Sequence, residues 1–133
     1  MKVIICLDDN QGMLFNKRRQ SRDRKVTEDI CKMTDKLWVS PFSEKLFDEV
    51  AIELCISERY LEEAGDGEYC FVEVEMLTPH LHKIEEVIVY RWNRKYPADV
   101  CLDIKLQDLE LAEQSEFAGF SHEKITKEIY VRR

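Results

Sequence analysis

The chain opens on Lys2-Val-Ile-Ile-Cys-Leu7, which is almost unbroken in apolar character. Such a run reads as a strand buried on both faces, the pattern of a parallel sheet. Asp8, Asp9, Asn10 and Gly12 end it. Helix-like and strand-like stretches then alternate. Ser21 offers an N-cap for a helix running to about Met33, with Asp23 favourable in its first turn, and Val26, Ile30 and Met33 recur along one face. Leu37–Val39 predicts a second strand. Ser40-Pro41 gives a cap followed by proline at the first helical position, with Phe42 and Leu46 as the buried stripe. Val50–Ile56 predicts a third strand, Ser57–Ala64 a short helix closed by Gly65, and Tyr69–Val72 a fourth strand. Thr78-Pro79 repeats the cap-plus-proline start, with Leu81 and Ile84 facing inward, and Val87–Trp92 is the fifth strand.

The last third changes rhythm. Leu106, Leu109 and Leu111 lead into Phe117 without a helical period, and Lys127–Val131 alternates as a closing strand. The expected architecture is α/β: one domain over residues 1–133, a mostly parallel central sheet flanked by helices, and a C-terminal antiparallel hairpin. A chain of 133 residues buries roughly two thirds of its unfolded surface, so it folds without a metal or disulfide. No apolar run approaches the length of a membrane span, and Met1-Lys2-Val3 leads straight into a strand without a leader pattern. The expected setting is cytoplasmic, with no membrane partner. Five scattered cysteines, most inside apolar runs, read as reduced core thiols.

Charge changes this picture at one place. Between Lys17 and Lys25, six basic residues stand against a single acid, Asp23. That local surplus of five sits in a chain of net charge −7, leaving −12 on the remainder. An acidic body repels nucleic acid in general and confines an anionic ligand to that patch. Arginine suits phosphate or carboxylate because its planar fork donates two parallel hydrogen bonds. Asn10, Arg18, Arg19, Gln20 and Arg22 are the candidate contact residues, and Phe15 and Trp38 could add a stacking surface. A solvated charge run and two core aromatics are the plainer use of the same residues. Trp92-Asn-Arg-Lys-Tyr-Pro97 is a second basic and aromatic stretch, and together the two could hold RNA. His80-Leu-His82 with Glu85 or Glu86 hints at a metal, but residues two apart do not share a helix face, so they read as surface histidines. Ser21 and Ser43 have no His–Asp pairing close in sequence, and no nucleophile is assigned.

The order of pieces resembles the dihydrofolate reductase family across nearly the whole chain. Lys2–Met13 looks like that family's first strand and following loop, and Ser21-Arg-Asp23 with its helix like the substrate-binding helix. Ala98-Asp99, Ser115-Glu-Phe117 and Glu128–Arg133 look like its tail. The resemblance implies NADPH as cofactor and makes Asp23 the catalytic, pterin-binding carboxylate. The chain also departs from the family pattern. Asn16–Gln20 stands in place of a Leu-Pro-Trp segment, and Ser40-Pro-Phe-Ser43 in place of the phosphate-holding Gly-Arg-x-Thr turn. Val72-Glu73-Val74 replaces a Gly-Gly turn, and Tyr90 stands where a threonine is expected. The leading expectation is therefore a non-reductase binding protein for an anionic small molecule or nucleotide at the pocket of Asp23 and the basic stretch. A divergent NADPH-dependent pterin reductase and an RNA-binding protein are the alternatives.

Overall fold

The computed structural model describes residues 1–133. In chain order the strands are β1 (Lys2–Leu7), β2 (Gly12–Phe15), β3 (Arg18–Arg19), β4 (Lys36–Val39), β5 (Glu53–Ile56), β6 (Tyr69–Phe71), β7 (Glu86–Arg91), β8 (Val100–Cys101), β9 (Glu110–Phe117) and β10 (Ile125–Val131). Helix α1 spans Arg24–Met33 and helix α2 Tyr60–Glu63, and three 3-10 segments lie at Pro41–Phe47, Thr78–Lys83 and Leu106–Asp108.

Seven strands form the central sheet in the order β5-β4-β6-β1-β7-β10-β9. β1 pairs in parallel with both β6 and β7, and β4 in parallel with β5 and β6. β10 runs antiparallel to β7 and to β9, which makes the closing hairpin. The α/β class, the mostly parallel sheet and the terminal hairpin are as the hydrophobic pattern implies.

The double-sided burial of β1 explains its unbroken apolar run. Val3, Ile5 and Leu7 enter a core with Tyr60, Leu61, Leu77, Val87 and Val89. Ile4 faces the other way, into a core with Val26 and Ile30 of α1, Leu37, Phe47, Phe71, Ile88 and Trp92. Each wholly buried aliphatic side chain contributes about 1.5–3 kcal/mol, so these two layers fix the carboxyl ends of β1, β6 and β7 together. The site lies at those ends.

Four details correct the sequence reading. The N-cap of α1 is Asp23, not Ser21: the Asp23 carboxylate accepts the Lys25 N–H, and the helix begins at Arg24. The two proline-started segments are 3-10 turns without a side-chain cap bond. The second leaves Leu81 exposed and buries only Ile84 of the expected pair. In the first, Ser43, Leu46 and Phe47 point inward while Phe42 lies at the surface. Finally, Gly12–Arg19 is a β-hairpin, not a loop: Leu14 pairs with Arg19 and Phe15 with Arg18. The two residues between, Asn16 and Lys17, both take positive φ (52° and 62°), as a two-residue hairpin turn demands.

Candidate functional site

The basic hairpin is anchored by one buried carboxylate. Asp8, at the end of β1, accepts the backbone N–H groups of Asn10 and Gly12 at 2.9 and 2.7 Å, the Gln20 side-chain amide at 3.2 Å and the Tyr96 N–H at 3.1 Å. Gln20 also donates to the Pro97 carbonyl. Four donors around one carboxylate hold the hairpin against the Trp92–Pro97 loop. Gly12 is required at this junction, since a Cβ there would lie 2.6 Å from both Ala98 Cβ and Gln20 Nε2.

Between hairpin and loop opens a groove of about 430 Å3 lined by Phe15, Asn16, Arg18, Arg19, Gln20, Tyr96 and Pro97. Lys17, Arg18, Arg22, Arg94 and Lys95 are exposed around it. The two basic and aromatic stretches of the sequence thus meet at one place.

Behind the hairpin the space is nearly filled. Arg19 donates from Nε and Nη2 to the two oxygens of Glu73, both at 2.7 Å, and Ser43 Oγ donates to the same carboxylate at 2.6 Å. The Glu73 hydrogen bonds raise the Arg19 pKa further above its ordinary value. The cavity that remains between Met13, Val26, Leu46, Phe71 and Trp92 measures about 20 Å3, room for about one water molecule.

Asp23 faces this cavity but is fully engaged. It accepts the N–H groups of Lys25, Phe120 and Ser121 at 2.9 Å each, that of His122 at 3.2 Å, and His122 Nδ1 at 2.8 Å. Burial alone would raise its pKa; the Phe120, His122, Ser121 and Lys25 donors outweigh burial and hold the carboxyl well below the usual carboxylate range. His122 is itself buried, stacked on Trp92 at 4.5 Å between ring centroids, and its Nε2 meets Ser21 Oγ at 2.8 Å and Tyr96 Oη at 3.2 Å. In the neutral ring with Nδ1–H donated to Asp23, Nε2 accepts the Ser21 hydroxyl.

The structure therefore gathers Phe15, Arg18, Arg19 and Gln20 at the groove, with Arg22 and Asp23 at the inner cavity beside Arg19 and Gln20. Asn10 sits exposed in the turn after β1, lining neither. Trp38 lies away from both: on β4, its indole N–H goes to Glu68 and Lys36 covers its ring. His80 and His82 lie on the Thr78–Lys83 turn, and no cluster of three or more metal-ligating side chains forms anywhere. Glu73, Ser43, Tyr96 and His122 were not among the predicted site residues. Glu73 had a signal, being a charge set directly after an apolar strand; His122 had none.

No protein-family model matches the sequence, and no curated protein does. Among solved structures, the chain is similar to a dihydrofolate reductase from Enterococcus faecalis, complexed with NADP(H) and RAB-propyl. The TM-score is 0.69, and the match covers 99% of this chain and 95% of that one at 8% identity. The chain has the dihydrofolate reductase fold. At that identity the likeness carries architecture and no chemistry.

A dihydrofolate reductase-like fold raises NADPH as a cofactor, and the residues here do not fit it. Where glycines would let backbone approach a pyrophosphate, Glu73 places a buried negative charge, neutralised by Arg19. The Ser43 hydroxyl is spent on Glu73, and Pro41 brings no N–H to its turn. No helix is long and apolar enough to cross a membrane.

Proposed function

We propose that this chain is a non-reductase binding protein that holds an anionic small molecule, a nucleotide in particular, in the groove between the basic hairpin and the Trp92–Pro97 loop. The observation that carries the reading is the division of labour among the arginines. Arg19 is consumed by Glu73 inside the protein, whereas Arg18 lines the open groove with no carboxylate partner. A free guanidinium beside Phe15 and Tyr96 can take a phosphate while the rings cover a base. This moves the ligand outward from the Asp23 pocket, where Asp23 has no lone pair left to offer a pterin and the cavity admits none.

The test is a thermal-shift titration with ATP, GMP, NADPH and a short single-stranded RNA. Binding at a hundredfold excess over Kd adds about 2.7 kcal/mol of apparent stability. A saturable shift with mononucleotides, lost in Arg18→Ala/Arg22→Ala, supports the reading. A shift with NADPH and none with mononucleotides would replace it with a cofactor-binding role. A shift with RNA alone, steeply salt-dependent, would move the protein to the nucleic-acid class.

A further inference from the structure

Ser21, His122 and Asp23 form a hydrogen-bonded chain that lies outside the groove. Ser21 Oγ lies 2.8 Å from His122 Nε2, and His122 Nδ1 lies 2.8 Å from Asp23 Oδ2. These are the contacts by which an imidazole accepts a serine proton while a buried carboxylate holds its tautomer and orientation. The environment graded along the chain matches those roles. Asp23 and His122 are almost wholly buried at 4% exposure each, and Ser21 is half-buried and lines the small cavity. Trp92 stacks on the imidazole and fixes its plane. The donors that surround Asp23 keep it ionised, as the orienting carboxylate must be.

We infer that Ser21 is a nucleophile and that the chain is a serine esterase acting on small acyl esters. The Ser21 hydroxyl gives its proton to His122 Nε2 as the Oγ–carbon bond forms at the substrate carbonyl. Collapse of the tetrahedral adduct breaks the bond to the leaving oxygen, and His122 returns the proton to the departing alcohol. Water then attacks the acylated Ser21 with the same proton path, releasing the carboxylic acid and restoring the hydroxyl. Each step is neutral in electrons and needs only water. The backbone N–H groups of Ser21 and Arg22 donate to no backbone carbonyl, which leaves donors uncommitted next to the attacking hydroxyl. Acyl size follows from the cavity: about 20 Å3, walled by Met13, Val26, Leu46, Phe71 and Trp92, accepts an acetyl methyl and no longer chain. On the solvent side, exposed Arg22 favours an alcohol that carries negative charge. Tyr96 Oη lies 3.2 Å from Nε2 and 3.5 Å from Ser21 Oγ, close enough to position the hydroxyl.

The experiment is reaction of the full chain with methanesulfonyl fluoride, whose methyl group matches the pocket, read by intact mass and peptide mapping, beside turnover of p-nitrophenyl acetate and octanoate. The expected result is one adduct, on Ser21, absent in Ser21→Ala, with acetate cleaved at least tenfold faster than octanoate. His122→Gln should slow labelling by about 100-fold or more. No adduct on Ser21 after prolonged exposure of protein with an unchanged thermal transition overturns the inference, as does labelling at Ser21 unaffected by a folded His122→Gln. Ser21 is half-buried and lies outside every helix and strand, so Ser21→Ala keeps the fold, and the adduct map decides even where His122→Gln does not fold. Labelling of Ser21 is read without nucleotide and the nucleotide-induced thermal shift without the probe, so the nucleotide reading and this one fail separately.

Discussion

Arg19 and Glu73 meet through two parallel hydrogen bonds of 2.7 Å across the space behind the basic hairpin. One residue comes from the short strand β3 and the other from the segment just after β6, so the pair ties the hairpin to the central sheet. Glu73 is buried and Arg19 about a quarter exposed. Pairs of this kind contribute little over an apolar replacement, but removing one partner strands the other.

The expectation is a double-mutant cycle with strong coupling. Arg19→Met and Glu73→Leu should each cost roughly 1.5–3 kcal/mol, and the double variant should be more stable than either single one. Urea unfolding of the four proteins measures this. Additive losses would mean that each side chain is held by something other than its partner. Because Ser43 also donates to Glu73, Glu73→Leu strands two donors and should cost more than Arg19→Met.

Asp23 should govern the acid limb of stability. Burial pushes its carboxyl pKa up, but the Phe120, His122, Ser121 and Lys25 donors prevail, so the folded value lies below the unfolded one. The unfolded value is about 3.9. A carboxyl with a depressed folded pKa stabilises fully above the unfolded value and loses that contribution as pH falls towards the folded one. Stability should therefore fall steeply below about pH 4. Asp23→Asn should lower stability at pH 7 by roughly 1–3 kcal/mol and flatten that acid limb. Unfolding free energies of both proteins between pH 2.5 and 7 check it; parallel curves would show that the acid limb belongs to other carboxyls.

The sheet was legible because it rests on apolar runs long enough to be buried on both faces, and β1 is the clearest case. The hairpin Gly12–Arg19 was not, because it is held by Asp8 and by two positive-φ residues with no glycine between them. The cap of α1 was misplaced by two residues since Ser21 and Asp23 are both good caps. What decided between them is the loop Gly119–His122, which supplies Asp23 with donors about 97 residues away. The same separation hid the Ser21–His122–Asp23 chain. The basic run was legible as charge, but which arginine stays free depended on Glu73, a partner 54 positions on.

Asp8 should control the hairpin without controlling the sheet. Its carboxylate holds Asn10, Gly12, Gln20 and Tyr96, all outside the central strands. Asp8→Ala leaves these donors unpaired in a buried place and should cost about 2 kcal/mol. Local opening should follow: amide hydrogen exchange of Gly12–Arg19 and Tyr96 should speed up, while β1 and β7 keep their protection. Uniform loss of protection across the sheet would show that the hairpin and the core unfold as one unit. Nucleotide affinity should fall with the same variant, because the groove has one wall on each side of this carboxylate.

Gly119 is the most sensitive position of the Asp23 loop. A Cβ added there would lie 2.7 Å from Asp23 Oδ2, 2.7 Å from the His122 carbonyl oxygen and 2.9 Å from Ile125 Cδ1. Two of these neighbours are a buried carboxylate and backbone, and neither can swing aside as the end of a flexible side chain would. Gly119→Ala must therefore push the loop off Asp23, lengthening the bonds from Phe120, Ser121 and His122 together. Overpacking of this kind costs about 1–3 kcal/mol. The loss should not add to that of Asp23→Asn, because both changes break the same bonds. Equal stability of Gly119→Ala and wild type by thermal unfolding would show that the loop can relax away from Asp23 without cost. Full additivity in the double variant would show instead that Gly119 acts through Ile125 and the core.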